Sequence, residues 1–291
     1  MTKRIKSFII FFTLLAMALL AGCGGSASKE DSKAATENKG TTGRSVDQIK
    51  KSGEVIIGVF SDKAPFGYVD STGKYQGYDV YFAERIAKDL GVKPKYVSLD
   101  PANRVEYFKT GKVDIVHTNF TVTKKRAEAV DFALPNIKVA LGGVSKDGSI
   151  TSPEQLAGKT LIVAKGTTAE TYFAKNHPNV KLLKFDQYTE TYNALLDGRG
   201  DAFSTDNTEV LAWAKQNPGF AVGIPSLGEL DTIAPAVQKG NTTLLNWLNE
   251  EIKVLGKERF FHADYDATLK AVYGTSVDPE SLVVEGGTVN K

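Results

Sequence analysis

The sequence predicts an α/β protein whose sheets are built from parallel strands with helices packed between them. Residues 54–60, Glu-Val-Ile-Ile-Gly-Val-Phe, are nearly continuous apolar sequence, which fits a strand buried on both faces. Val80, Ala83, Ile86, Ala87 and Leu90 then recur at helical spacing, and Gly91 follows where a glycine stops a helix. The alternation repeats downstream: strands are expected at 113–116, 160–164 and 202–203, and helices at 168–175, 189–196, 208–215 and 243–255. A polar, glycine-containing break at 145–149 is the first expected boundary, and Pro235, interrupting an apolar run at 232–237, is the second.

Composition narrows the function. Of 291 residues, 42% are hydrophobic and 24% charged, as in soluble globular domains, so fibrous and disordered classes fail. Thirty-six Lys+Arg against 34 Asp+Glu leave a formal +2, too balanced for a nucleic-acid partner held by phosphate neutralisation. One cysteine excludes a disulfide framework, and three histidines at 117, 177 and 262 are too scattered for a metal site, so neither metal nor cofactor is expected.

Lys3, Arg4 and Lys6 precede an apolar run over 8–20, too short for a transmembrane helix, which needs about 20 residues. Leu20-Ala21-Gly22-Cys23 resembles the lipobox of bacterial lipoproteins. That resemblance implies a signal peptide over 1–22 and lipidation (palmitate) at Cys23. Residues 24–45 contain no aromatic and no large aliphatic side chain and read as a flexible tether. The body is therefore expected at the outer face of the cell membrane, held by lipid.

Three polar edges follow strand ends. In Asn119-Phe120-Thr121-Val122-Thr123-Lys124-Lys125-Arg126, a strand runs into hydroxyl-bearing turns and then a helix start carrying Arg126. Free amides there suit an anion, and a guanidinium can hold a carboxylate through two parallel hydrogen bonds. An exposed arginine on a basic turn is the alternative. Lys165-Gly166-Thr167-Thr168 is a similar but less specific edge. Asp206, at the end of Ala202-Phe203-Ser204-Thr205, either caps the next helix or faces a ligand ammonium. An arginine clamp and an aspartate clamp together describe a site for a zwitterion.

Ala64-Pro65-Phe66, Gly77-Tyr78-Asp79-Val80, Thr121-Val122-Thr123-Lys124-Lys125-Arg126-Ala127-Glu128 with Val130-Asp131-Phe132, and Asp201-Ala202-Phe203 with Asp206 occur in one order over about 46–285. In that order they resemble extracytoplasmic solute-binding proteins of polar amino acid ABC transporters. The resemblance implies the periplasmic-binding-protein type II fold, with two α/β lobes joined by two crossover strands and the ligand in the cleft. Lobe 1 would hold 46–144 and 236–291, and lobe 2 would hold 145–235. Arg126 resembles the family's α-carboxylate arginine, with Thr121 and the Asn119 backbone beside it. Thr168, beside Lys165, resembles the second-lobe donor to the same carboxylate. Asp206 resembles the ammonium-binding residue, and Phe60 and Phe66 fall in a pocket-lining loop. Phe60 stands where binders of basic or amide side chains carry an acid, which speaks against a cationic ligand.

Asn103 and Arg104 fall where relatives recognise the ligand side chain. Arg104 resembles the side-chain arginine of aspartate and glutamate binders, and a solvated helix residue is the plain alternative. The wider pattern, 58–68 with Ala102-Asn103-Arg104-Val105-Glu106 and Phe260-Phe261-His262, resembles the cysteine-binding branch. Cysteine is favoured, with aspartate or glutamate as the alternative. The expected partners are the free amino acid and the permease subunits of an ABC transporter, and the body is expected to be a monomer. There is no Walker A loop in the chain. An enzyme of dehydratase type on the same fold, using Lys165, Glu170 or Asp206, is the alternative from another class, as is an adhesin-like lipoprotein. Catalysis is not expected.

Overall fold

The computed structural model describes residues 42–289. The expected signal peptide, Cys23 and nearly all of the expected tether lie outside the described residues. Among the described residues no helix is long and apolar enough to cross a membrane.

Ser45 caps α1 (Val46–Ser52) through a capping box with Gln48. Arg44, expected in the tether, is docked on the body instead. Its Nε donates to Asp114 Oδ1 at 2.8 Å, and its carbonyl accepts from Asn241 Nδ2 at 2.9 Å. A buried carboxylate that also accepts from the Ile56 N–H at 2.7 Å fixes the guanidinium there.

The apolar run at 54–60 becomes β1 (Glu54–Val59). A small three-stranded sheet follows, β2 (Asp62–Lys63), β3 (Gly67–Val69) and β4 (Tyr75–Gln76). Next comes α2 (Tyr78–Leu90), ended by Gly91 at φ 74°. β5 (Lys93–Ser98), α3 (Arg104–Lys109), β6 (Ile115–Val116), α4 (Lys124–Ala127) and β7 (Val130–Phe132) complete the first stretch.

The chain then forms β8 (Ile137–Lys146), β9 (Thr160–Ala164), α5 (Thr168–Asn176), β10 (Lys181–Phe185) and α6 (Tyr188–Leu196). β11 (Ala202–Asp206), α7 (Asn207–Gln216) and β12 (Phe220–Ile233) follow. It ends with β13 (Ala236–Gln238), α8 (Thr242–Lys257), α9 (Phe260–Thr268) and shorter turns.

Two five-stranded sheets result, in the orders β5-β1-β6-β13-β7 and β10-β9-β11-β8-β12. In each, the first three strands are parallel and the last two antiparallel to their neighbours, so the expectation of parallel sheets holds for only part of each. Each sheet sits in its own apolar core. α2, α8 and α9 cover the first sheet with Phe82, Ile86, Leu244, Leu248 and Phe261. Val144, Ile162, Phe203, Val210 and Trp213 fill one side of the second, and Val163, Phe173 and Ile224 fill another.

The break at 145–149 does not separate the sheets. The chain leaves the first sheet through 133–136 and returns through 234–235, so residues 137–144, expected in lobe 1, pair with β11 and β12. Asp147 and Gly148, both at positive φ, form a turn at the end of β8. Gly, Asp and Ser mark such a turn as strongly as they mark a linker. The two passes between sheets are bonded to each other, Ala133 N to Pro235 O at 2.9 Å and Asn136 N to Ile233 O at 3.0 Å.

Candidate functional site

A cavity of about 570 Å³ opens between the elements of the two sheets, lined by Arg104, Phe120 and Arg126 on one side and by Gly166, Thr168, Tyr172 and Leu227 on the other. The Thr123 side chain caps α4 by accepting from the Arg126 N–H at 3.2 Å, which starts the helix where the arginine can turn inward. Its guanidinium donates to Thr121 O at 2.8 Å and to Gly166 O at 2.9 Å, so it spans the cleft and keeps further N–H groups for a ligand. It also lies 4.9 Å from the Phe120 ring centre. Gly166 sits at φ +74°, and a Cβ there would come 2.6 Å from Ala102 Cα, so the two lips approach backbone to backbone.

Arg104, at the first turn of α3, is only 3% exposed. Its guanidinium is 4.4 Å from the Phe120 ring centre and 5.3 Å from that of Phe60. Its Nε and NH1 have no hydrogen-bond partner. Burial and the nearby Arg126 charge drive its pKa down to about 9. The expected side-chain arginine is therefore a buried cation, and the solvated-helix alternative fails.

The carboxylate wall is more complete than expected. Asp206 stands at the N-cap of α7 but makes no capping bond. Its Oδ2 accepts from Lys63 Nζ and from Asn119 Nδ2, both at 2.7 Å. Lys63, 1% exposed, also contacts Glu209 Oε2 at 2.8 Å and the Tyr188 hydroxyl at 3.2 Å, and lies 4.5 Å from that ring's centre. Burial opposes the Lys63 charge, but Asp206 and Glu209 outweigh it and hold its pKa well above the ordinary value. Burial raises Glu209 to about 6. Of the two roles expected for Asp206 the helix cap is not made; the residue lies beside the cavity rather than in its lining, with Oδ2 facing groups brought by the first sheet's elements.

Asn119 holds φ 47°, a left-handed conformation that asparagine tolerates, and this aims its amide at Asp206 rather than leaving only its backbone at the site. Thr121 is buried and serves through its carbonyl. Phe60 lies off the cavity wall, packed edge-on against Tyr188 at 5.4 Å. Phe66 is a core residue, 6.5 Å from Tyr78, not a pocket wall. Lys165 points away to Asp186 at 2.9 Å, and exposed Asn103 donates to Asp100 at 3.2 Å. Neither lines the cavity, because each is a turn residue whose nearest carboxylate lies outside the cleft.

Lys63 was missed. It follows an aspartate in the two-residue strand β2, and nothing local distinguishes it from a solvated lysine; its partners lie 125 residues or more downstream. Beneath the site, Asp79 Oδ1 and His117 Nε2 lie 3.6 Å apart, both fully buried. Burial raises Asp79 to about 7 and lowers His117 to about 3. Among the described residues no cluster of His, Cys, Asp and Glu has the makings of a metal site.

Residues 55–266 match the bacterial extracellular solute-binding proteins, family 3. The fold matches a solute receptor for L-cysteine of Neisseria gonorrhoeae with a TM-score of 0.82 and 55% identity, covering 83% of this chain and 100% of that one. It matches a cysteine-binding protein of Campylobacter jejuni at 0.81 and 53%, covering 82% and 98%. An ABC transporter glutamine-binding protein of Bacillus subtilis is 30% identical over 275 residues, 92% of this chain and 98% of its own length.

Proposed function

The chain belongs to the bacterial extracellular solute-binding proteins of family 3, an amino-acid-binding component of an ABC transporter, and on that premise we propose that it captures L-cysteine outside the cell for delivery to the permease. The observation that carries this reading is the convergence of two guanidinium groups, buried Arg104 and half-buried Arg126, on one cavity within electrostatic range of Asp206. Arg126 holds the α-carboxylate with Thr168 opposite, and Asp206 answers the ammonium. Each ligand charge is then paired, which burial requires. Two neighbours at 53% identity and above that are cysteine binders favour cysteine over aspartate or glutamate.

We place the hinge at 133–136 and 234–235, where the two passes bond each other, and Gly166 against Ala102 as the closing lip. Ligand that bridges both lips shifts the population toward closure. The protein works as a monomer, anchored through acylated Cys23. It binds rather than catalyses: of the acid–base candidates, Lys165 is engaged by Asp186 and Glu170 by Lys184 at 2.9 Å. A thermal-shift screen against the twenty amino acids and cystine tests the reading. At free ligand near 100 times Kd, cysteine should stabilise by about 2.7 kcal/mol, and a flat response to every amino acid would overturn it.

A further inference from the structure

Resting on the reading just given, and on Arg104 as the side-chain residue that it resembles, we infer that cysteine is bound beside Arg104 as its thiolate. The three cations at or beside the cleft, buried Lys63 and Arg104 and half-buried Arg126, differ in how they are satisfied. Lys63 has two carboxylates, and Arg126 has two carbonyls and spans the lips. Arg104 lines the cavity and keeps guanidinium atoms, Nε and NH1, that are shut off from solvent with nothing bonded to them. A buried guanidinium in this state is stabilised by an arriving anion far more than by a neutral group.

A zwitterion has two charges, and Arg126 and Asp206 answer them. A third partner is needed for Arg104, and the only ligand group left is the side chain. The rings of Phe60 and Phe120, 5.3 and 4.4 Å from the guanidinium, make its surroundings apolar on two sides, which suits a polarizable sulfur. The charged and titratable groups within its range are Arg126 from α4, Asp79 from α2, Tyr188 from α6 and Asp206 from β11. Arg126 adds positive potential, and Asp206 is already engaged by Lys63 and Asn119.

On binding, the S–H bond breaks heterolytically. The electron pair stays on sulfur, and the proton passes to solvent buffer. No oxidant or reductant takes part. A cationic neighbour lowers a thiol pKa from about 8.5 into and below the neutral range, so a thiol that is mostly protonated in solution at pH 7 loses roughly one proton in the site.

Calorimetric titration of the full chain with cysteine, under a non-thiol reductant, in two buffers of different protonation enthalpy tests this. Serine is the control for protons exchanged by the protein itself, Asp79 and Glu209 included. Cysteine should release close to one proton more than serine, and the ultraviolet thiolate band should grow on binding. Arg104→Met should weaken cysteine on the order of 10- to 100-fold and abolish the excess proton release, while weakening serine by a smaller factor. Arg104→Lys, which keeps the charge, should restore most of the release. Cysteine bound with no more proton release than serine overturns the proposal, as does an Arg104→Met variant that weakens serine and cysteine equally. Aspartate bound more tightly than cysteine overturns it in favour of a carboxylate. Each of these leaves amino acid capture standing, whereas a chain that binds no amino acid overturns capture and the thiolate together.

Discussion

The two charged walls of the cleft are built from the same kinds of side chain in different states of completion. On one wall Lys63, Asp206, Glu209, Asn119 and Tyr188 satisfy one another across the lobes. On the other, Arg104 and Arg126 stand as like charges, and Arg104 has unused donors. The difference separates charges that hold the molecule together from charges kept for something else. A buried ion is tolerated only when paired, so the unpaired one identifies the ligand's polarity.

The sharpest test of that contrast sets stability against affinity. Lys63→Met leaves Asp206 and Glu209 without their cation and should cost about 3–5 kcal/mol in urea unfolding. Arg126→Met removes no carboxylate partner from the protein. It should cost little stability but about 4 kcal/mol of amino acid binding, roughly a thousandfold in Kd by calorimetry. Equal stability losses in the two variants would erase the distinction.

A smaller effect is expected at the lip. Gly166→Ala places a Cβ in the left-handed region and against Ala102 Cα, so closure should be penalised by about 1–2 kcal/mol. Ligand affinity should fall roughly tenfold by calorimetry. Gly158→Ala, also at positive φ but with nothing near its Cβ, should cost stability without touching affinity.

A last effect, on stability alone and only as pH changes, concerns the buried pair Asp79 and His117. Asp79, raised to about 7, binds more protons folded than unfolded between about 4 and 7, so it lowers stability as pH rises there. His117, lowered to about 3, binds fewer protons folded than unfolded up to about 6.5, so it raises stability over that range. The two oppose each other from about 4 to 6.5. Asp79→Asn removes one arm, and its stability should climb with pH more steeply than that of the parent protein, by up to ~1.4 kcal/mol per pH unit. Denaturant midpoints across that range measure it.

Periodicity made the inner strands and the helices legible. β1 and β9 begin where the apolar runs begin, and α5, α6 and α7 start within a residue of their expected positions. β8 and β12 escaped because Gly142 and Gly143 dilute one, while Gly223, Pro225 and the register shifts between Val222 and Asp231 irregularise the other. The type of charge at Arg104, Arg126 and Asp206 was readable from motif order, whereas the engagement of Asp206 was not. Pairing across 143 residues leaves no local trace, so Lys63 looked like surface, and Lys165 and Asn103 looked like site.

The threading of the two passes has a consequence for how the chain is made. β13, near residue 237, is the strand that joins β7 to β6, and it emerges from the ribosome only after every strand of the second sheet. The second sheet is contiguous in the chain and has its full set of strands by Ile233, so it can assemble during synthesis. The first sheet must wait with an open edge until its final strand and α8 arrive. The half made first is therefore the half finished last.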